Sequence, residues 1–373
     1  MIPPEKSYQD ISLYFHIPFC SRKCPYCHFY VTADKQSLKD LLLSSLQKEW
    51  DLYKDKLVGK RVVSIYFGGG TPILFGPEAI RTVLSWISRP SVCEITLEAN
   101  PENISLELMQ AYHSVGINRV SIGVQSLDDH LLKVLGRRHS AQKAIQGIHQ
   151  CYDAGLSNIS IDLMYEIPYQ TLPLWQETLA QLTGLPITHL SLYNLTIEPQ
   201  TLFFKKSSQL IPHLPIPETC LEMLNLATQT LPQMGLKRYE ISAFSQKGYE
   251  SCHNRGYWQG RPFLGFGPSA FSYWEGKRFR NVAHLLKYAE KLNNNISPID
   301  FEETLSPSAR LKELLAIGLR RLEGVDCKDF PLESKLYHEL LQTGWVIFDQ
   351  EKLRLTEQGL LFYDSVAEMI IEV

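Results

Sequence analysis

Between residues 12 and 243 of this 373-residue chain, short apolar runs alternate with longer amphipathic stretches. The short runs are rich in β-branched and aromatic residues and predict strands at 13–16, 62–67, 94–98, 119–124, 159–164 and 189–193. The longer stretches repeat apolar residues every three or four positions and predict helices at 38–53, 78–87, 106–115, 141–154 and 172–182. This alternation is typical of repeated βα units, so we expect an α/β fold around a parallel sheet.

A proline-rich segment interrupts the alternation after the sixth predicted strand. Residues that precede proline are disfavoured in the helical conformation, so residues 198–217 are predicted to form a linker or lid. A helix at 218–231 and a strand at 238–243 follow and would complete the sheet.

The pattern changes again near residue 305. Helices are predicted at 308–321, 334–341 and 357–369, and strands at 345–348 and 353–355 are joined by a turn at 349–352. Two helices, a two-stranded wing and a further helix predict a winged-helix-like module. We therefore expect three parts: a core over 1–197, a region over 198–304 that completes the core and carries the lid, and a C-terminal domain over 305–373.

The charge of the chain argues against a nucleic-acid partner. It has 37 Lys and Arg against 40 Asp and Glu, a formal net charge of −3, and so no general attraction to a phosphate backbone. A DNA-recognition helix needs basic residues, but the candidate stretch 333–339 is nearly neutral. We expect the winged module to pack against the core or to dock a partner protein.

The chain carries no sign of membrane insertion or secretion. No run of 18 or more apolar residues occurs, and residues 1–6 lack the basic and apolar regions of a secretory signal. We therefore expect a cytoplasmic protein without a transmembrane segment. Its other cysteines show no disulfide-framework spacing: Cys93, Cys151, Cys220, Cys252 and Cys327.

Three of the eight cysteines lie in one loop, at Cys20, Cys24 and Cys27. Thiolates at this spacing can surround one metal centre, and soft sulfur ligands select zinc or an iron–sulfur cluster. A structural zinc site needs four ligands, and the only local fourth candidate is His28. A 4Fe-4S cluster held by three cysteines leaves one iron open to a substrate. Zinc, or a chance spacing of buried cysteines, is the alternative.

Candidate binding residues follow successive predicted strands. Because the carboxyl ends of parallel strands meet at one face of a barrel, we expect these residues to converge there. Taken singly, a polar residue at a strand end more often caps a helix or solvates a loop, but the set taken together outweighs that interpretation. They are Gly70, Thr71, Glu98, Gln125, Arg137 and Asp162.

The cysteine motif, followed by an aromatic residue, resembles that of the radical S-adenosylmethionine (SAM) superfamily. The resemblance implies an open (β/α)6 partial barrel, a 4Fe-4S cluster, and SAM that chelates the open iron. The order of the candidate residues along most of the chain is similar to that of the oxygen-independent coproporphyrinogen III oxidase family. That likeness implies that Tyr14 and the residues after the strands contact the cluster or SAM. It also implies that Arg137 and Asp162 hold the nucleoside and carboxylate ends of SAM, and that Tyr26 flanks the adenine of SAM.

A second unusual stretch, residues 252–268, interleaves aromatic residues with glycines. Flat rings suit a porphyrin and an imidazole suits its iron, which makes His253, Tyr257 and Trp258 candidate haem-binding residues. The alternative is a β-hairpin that packs its aromatic residues on the barrel. The motif His-Asn-x-x-Tyr-Trp resembles that of HemW-type haem chaperones, a branch of the same family.

Two departures from the oxidases favour the chaperone branch. The oxidases have a further cysteine two residues after the third, where this chain has Phe29, and they carry a longer segment before the cluster loop. We therefore expect a haem chaperone that binds haem, a 4Fe-4S cluster and SAM, with coproporphyrinogen III oxidation as the alternative function. The expected partners are a haem-acceptor protein and an electron donor for the cluster. SAM cleavage and a haem-linked dimer stay open.

Overall fold

The computed structural model describes residues 9–90, 93–330 and 334–372. Its strands are β1 (Asp10–Ile17), β2 (Phe19–Cys20), β3 (Thr32–Ala33), β4 (Arg61–Gly69), β5 (Glu94–Ala99), β6 (Arg119–Gln125), β7 (Asn158–Tyr165), β8 (His189–Asn194), β9 (Lys237–Glu240), β10 (Ala243–Ser245), β11 (Phe263–Phe266), β12 (Phe271–Trp274), β13 (Lys277–Asn281), β14 (Ile299–Thr304), β15 (Val325–Asp326), β16 (Val346–Asp349) and β17 (Lys352–Leu355).

Its α-helices are α1 (Gln36–Tyr53), α2 (Pro77–Ser85), α3 (Leu106–Ser114), α4 (Asp129–Val134), α5 (Ala141–Asp153), α6 (Leu172–Ala180), α7 (Leu202–Lys205), α8 (Ser207–Leu210), α9 (Pro217–Thr230), α10 (Cys252–Trp258), α11 (Leu285–Asn293), α12 (Pro307–Gly318), α13 (Ser334–Gln342), α14 (Glu357–Leu361) and α15 (Tyr363–Glu372).

The main sheet has the strand order β14-β13-β12-β11-β1-β4-β5-β6-β7-β8-β10-β9. The strands from β11 to β8 run parallel, and the flanking strands are antiparallel. Each of the six strands predicted from the alternation lies within one of the parallel strands, so the predicted fold class is confirmed. The pattern did not predict the seventh parallel strand, β11, which pairs with β1 on the side away from β4.

The two faces of the parallel strands differ in chemistry. In β1, Leu13 and Phe15 are fully buried on an apolar face, where Phe15 stacks on Phe67 with 5.2 Å between ring centroids. The opposite face carries polar side chains, and the hydroxyls of Ser12 and Ser64 are hydrogen-bonded at 2.8 Å. This polar face lines the inside of the partial barrel and is where the candidate side chains lie.

Four local predictions are corrected. The single strand predicted at 238–243 is two strands, β9 and β10, which pair antiparallel with each other. The stretch that begins at residue 252 opens as helix α10 rather than a hairpin, and the hairpin is formed later by β11 and β12. Helix α4 was not predicted, and the predicted helix 357–369 is two helices, α14 and α15, which meet at Phe362.

The C-terminal residues form a small module with its own apolar core. Helices α12, α13 and α15 surround a three-stranded sheet in the order β15-β17-β16. This is the winged-helix-like arrangement that the pattern predicts, with β16 and β17 as the wing. The division of the chain at residues 197 and 304 stays a prediction. Within residues 9–90, 93–330 and 334–372, no helix is both long enough and apolar enough to cross a bilayer.

A buried carboxylate fixes helix α1 to the last third of the chain. Glu49 accepts hydrogen bonds from Gly267 N at 2.8 Å, Asn281 Nδ2 at 2.6 Å and the Tyr288 hydroxyl at 2.5 Å. Burial raises the pKa of Glu49 to about 7, although the three donors oppose this rise. Below that pKa the folded state therefore favours protonated Glu49. As the pH rises from 4.5, the usual pKa of a glutamate, towards 7, Glu49 contributes less to the stability of the fold.

Replacing Glu49 with leucine should leave the buried Gly267 N and Tyr288 hydroxyl without this acceptor, whereas Asn281 Nδ2 keeps its other hydrogen bond, to Gly267 O. We expect Glu49→Leu to lower the free energy of unfolding by about 2–4 kcal/mol, because each unsatisfied buried polar group costs roughly 1–3 kcal/mol before relaxation. Urea denaturation measures this change. The matched control is Asp40→Leu, at an exposed position of the same helix. Equal effects of the two substitutions would contradict the role given to Glu49.

Candidate functional site

The three-cysteine loop lies between β2 and β3, which pair parallel and close it at its base. Cys27 N donates to Cys24 O at 3.1 Å, so the second and third cysteines share a tight turn. The sulfur of Cys20 lies 3.3 Å from the hydroxyl of Thr71, which follows β4. The loop therefore brings all three thiols to the carboxyl ends of the parallel strands.

The surroundings of the thiols suit an iron–sulfur cluster. Arg137 Nη1 lies 3.5 Å from Cys24 Sγ, and the Nε of this largely buried guanidinium has no hydrogen-bond partner among the residues that the structure describes. A buried cation stabilises thiolates, which are the form that ligates iron. Burial raises the pKa of Cys20 to about 11, so a bound metal would have to displace its proton. In the described residues no three Cys, His, Asp or Glu side chains are placed to hold a single metal ion.

The glycine triplet after β4 packs against the chain itself. A Cβ on Gly70 would lie 2.7 Å from Phe19 O, and one on Gly69 would lie 2.7 Å from the ring of His16. A Cβ on Gly68 would lie 2.9 Å from the ring of Tyr14. The space that the three missing Cβ atoms leave is thus filled by β1 and the beginning of the cysteine loop.

Two partly buried carboxylates lie in the polar interior. Glu98, in β5, accepts from the Tyr66 hydroxyl at 2.8 Å and from Gly69 N at 3.1 Å. Asp162, in β7, lies 3.5 Å from the hydroxyl of Ser121. Burial raises the pKa of Glu98 to about 7 and that of Asp162 to about 6. Neither carboxylate forms a direct ion pair within the described part of the chain, so a cationic group of a ligand could supply the missing charge.

Gln125 ends β6 in a strained conformation. Its φ is 69°, in the left-handed region that residues other than glycine rarely adopt, and the pairing of β6 with β7 is irregular between Ile122 and Gln125. A Cβ on Gly123 would lie 3.1 Å from Gln125 Nε2. Strained residues of this kind gather at ligand sites, which agrees with the position predicted for Gln125.

Arg137 is placed by the end of helix α4. Gly136, with φ of 69°, and Arg137 close the helix by donating their N–H groups to Lys133 O and Leu132 O, which is a Schellman motif. Arg137 Nη2 then donates to Asn100 Oδ1 at 2.7 Å, and Asn100 Nδ2 donates to the Thr71 hydroxyl at 3.0 Å. Hydrogen bonds thus connect Cys20 to Cys24 through these three side chains. Sequence reasoning missed Asn100, although its place directly after β5 was a signal.

The segment predicted as a linker or lid forms the short helices α7 and α8 and lies on the cysteine loop. Phe203 N donates to Pro25 O at 3.0 Å, and the Phe203 ring lies 6.1 Å from that of Tyr26. From the other side, Gly136 packs against Pro25, and a Cβ on Gly136 would lie 2.6 Å from Pro25 Cδ. The loop is therefore held between the lid and the end of α4, with Tyr26 facing inward.

The candidate haem residues lie apart from the cysteine loop. His253 is only 1% exposed, and its ring nitrogens lie 3.0 Å from the Ser64 hydroxyl and 2.8 Å from the Tyr257 hydroxyl. Trp258 donates its indole N–H to Glu240 and stacks on Arg320 of the C-terminal module. As placed, His253 has no free ring nitrogen.

The two groups of candidates are nevertheless neighbours in the interior. The ring of His253 lies 4.9 Å from that of Tyr66 and 6.4 Å from that of Tyr14. Tyr66 in turn donates to Glu98. One layer of tyrosines therefore separates α10 from the carboxylates.

Known proteins resemble this chain along nearly its whole length. The model of the radical SAM superfamily matches residues 14–182. The chain is 31% identical to the haem chaperone HemW of Bacillus subtilis over 95% of its length and 97% of that protein, and 33% identical to HemW of Haemophilus influenzae over 97% and 98%. It is also 31% identical to the mitochondrial radical S-adenosyl methionine domain-containing protein 1 of Danio rerio, over 97% of this chain and 87% of that protein.

Among solved structures, the fold is similar to that of coproporphyrinogen III oxidase from Escherichia coli. The TM-score is 0.85 at 22% identity, and the match covers 98% of this chain and 92% of the oxidase. At this identity the likeness concerns the fold.

The packing of Gly136 on Pro25 predicts that a methyl group there disturbs the cysteine loop. We expect Gly136→Ala to lower the iron content of anaerobically reconstituted protein to about half or less, because the new Cβ would overlap Pro25. The matched control is Gly184→Ala, since Gly184 has a similarly positive φ of 81° but no atom within 4 Å of an added Cβ. Equal iron contents in the two variants would contradict this assignment.

Proposed function

Since this chain belongs to the HemW family of the radical SAM superfamily, we propose that it is a haem chaperone that binds haem and passes it to an acceptor protein. The observation that carries the proposal is the near-complete coverage, at 31–33% identity, of proteins named as haem chaperones. Coproporphyrinogen III oxidation is the alternative, and it is supported only by a similar fold.

Membership of the superfamily implies a 4Fe-4S cluster and SAM. We assign the cluster to Cys20, Cys24 and Cys27, whose surroundings contain the buried Arg137. When bound, such a cluster offers an open iron and supplies an electron to SAM. The reduced state requires a one-electron donor, which we include among the partners.

The SAM site is assigned to the side chains and backbone that meet around the carboxyl ends of the strands. In this assignment Glu98 receives the ammonium group of SAM, and Tyr26 covers the adenine beneath the lid. The remaining members are Tyr14, Gly70, Thr71, Gln125, Arg137 and Asp162, to which we add Asn100. The cytoplasm is the proposed location, because all eight cysteines are free thiols.

The haem site is assigned to His253, Tyr257 and Trp258 on α10. Because both ring nitrogens of His253 are hydrogen-bonded in the buried interior, ligation of iron requires α10 to leave its present position. Cys252 lies beside His253 on this helix and provides a chemical reporter of that movement. A haem-linked dimer would follow if the exposed helix met a second copy.

SAM binding should depend on the ionisation of Glu98. Only the carboxylate attracts an ammonium group, so we expect SAM affinity to rise as the pH increases through about 7, by up to roughly tenfold per pH unit below that value. The titratable and charged groups around Glu98 are Tyr14, Tyr66, Arg119, Asp162, Tyr193 and Tyr257.

Isothermal titration calorimetry of SAM with the cluster-loaded protein measures this dependence. Glu98→Gln should weaken binding about 10- to 100-fold at pH 8, since a charged hydrogen bond contributes about 1.5–3 kcal/mol, and should flatten the pH profile. The control is Glu78→Gln, at an exposed position on α2. Unchanged SAM affinity in Glu98→Gln would refute the placement.

Haem titration distinguishes the chaperone from the oxidase. We expect a Soret band with about one haem per chain, which His253→Ala weakens or shifts and Cys24→Ala leaves at the same stoichiometry. Haem should also speed alkylation of Cys252, because α10 must be released. Failure to bind haem, or turnover of coproporphyrinogen III at roughly one per second or faster, would overturn the proposal. Equal haem binding by His253→Ala would instead assign the iron to another ligand, with Cys252, Tyr257 and the exposed His284 as the next candidates.

A further inference from the structure

The segment that joins α4 to α5, residues 136–140, is attached to the ends of two neighbouring strands. Arg137 makes the first pair of attachments. Its Nη2 donates to Asn100 Oδ1 at 2.7 Å, just past β5, and to Gly123 O at 2.6 Å, in β6. The same guanidinium reaches Cys24.

His139 makes a second pair of attachments to the same two strand ends. Its Nδ1 lies 3.2 Å from Glu102 Oε2, in the short 3-10 helix after β5, and its Nε2 lies 3.0 Å from Val124 O, in β6. The side chain of His139 is completely buried. Arg137 and His139, two positions apart in one segment, thus each connect the ends of β5 and β6. Arg137 does so on the side that faces the cysteines, and His139 on the side away from them.

The partners of His139 determine how many protons its ring must carry. A carbonyl oxygen such as Val124 O can only accept, and an ionised carboxylate can only accept. Burial pulls the pKa of Glu102 upward, but the hydrogen bond from His139, a backbone hydrogen bond and the nearby charge of Arg137 together leave the pKa below its usual range. A neutral imidazole has one N–H and can donate to only one of these acceptors, whereas an imidazolium can donate to both.

The other charged groups near His139 come from the elements packed around it. Arg137 lies in the same segment. Asp129 of α4 accepts from Ala141 N at 2.7 Å, two residues after His139. Lys143 of α5 donates to Ile104 O at 3.0 Å, two residues after Glu102. Glu102 is therefore the carboxylate that directly contacts the ring.

We infer that His139 is a positioning residue for the proposed cluster and SAM site, and that it acts as a doubly protonated imidazolium joining the ends of β5 and β6 behind Arg137. The residues it fixes are adjacent to the candidates themselves. Val124 precedes the strained Gln125, and Glu102 follows Asn100 by two residues. Loss of either hydrogen bond would loosen the backbone from which Arg137 reaches Cys24. The inference rests on the proposed SAM site for its functional consequence but not for the state of the ring.

The first test compares substitutions at position 139. His139→Leu removes both donors, and we expect SAM affinity to fall roughly tenfold, as for loss of a charge-assisted contact. His139→Gln keeps an amide with two N–H groups, and its affinity should remain within about threefold of the wild type. His149→Leu, at an exposed position of α5, is the control, and melting temperatures check that every variant folds. Rescue by glutamine separates positioning from simple filling of space.

The second test measures the protonation state of the His139 ring directly. In protein labelled with ¹⁵N-histidine, the two ring nitrogens of His139 should both be protonated at pH 7, with the signal assigned by its absence in His139→Leu. Glu102→Gln places an amide that can donate to Nδ1, so the ring should become neutral and the SAM affinity should be nearly retained.

The two tests distinguish failure of the inference about His139 from failure of the proposed SAM site. A neutral His139 ring in the wild type, or unchanged SAM affinity and iron content in His139→Leu, would overturn the inference. If Glu98→Gln also left SAM binding unchanged, the proposed SAM site itself would be wrong. The ring spectrum and the iron content of His139→Leu would then still decide whether His139 holds the cysteine loop in place.

Discussion

The candidate site depends on the placement of one buried cation, Arg137. Its guanidinium donates to Gly123 O and Asn100 Oδ1 and reaches Cys24, so it joins two strand ends to the cysteine loop. Burying a cation here without hydrogen-bond acceptors or a counter-charge would cost free energy of folding. The strands supply two of its acceptors, and the thiolates of an assembled cluster would supply the balancing negative charge. The loop and the barrel mouth are thus mutually dependent parts of one site.

This dependence explains why glycine occurs where the parts meet. Gly136 permits both the left-handed turn that ends α4 and the close approach of Pro25. Gly70, directly after β4, permits the chain to pass close to the backbone of Phe19. In both places a side chain would separate the cysteine loop from the barrel. The glycines therefore contribute to the site through packing within the chain, even where they never touch a ligand.

The strands and the cysteine motif could be predicted because their signals are local. A buried parallel strand is a short apolar run, and a three-cysteine spacing is visible directly in the sequence. Helix α10 has only one local signal, Ser251, which caps it by accepting from Asn254 N, while its first N–H groups, those of Cys252 and His253, donate to Glu94 at the start of β5. The part of the cap that Glu94 supplies, from 158 residues away, cannot be read from the helix's own sequence. The same holds for Asn100 and His139, whose partners are assigned only once the strands are side by side.

The polar interior also relates the two proposed ligand sites to each other. Tyr66 donates to Glu98, and its ring lies 4.9 Å from His253. Ionisation of Glu98, or its pairing with a cationic ligand, changes the electrostatic field at the Tyr66 hydroxyl. Displacement of α10 removes the His253 ring from the other side of Tyr66. Any resulting coupling free energy must act equally in both directions, because binding linkage is reciprocal. A ligand at the mouth and the position of α10 are therefore expected to influence each other through the layer of tyrosines that includes Tyr66 and Tyr14.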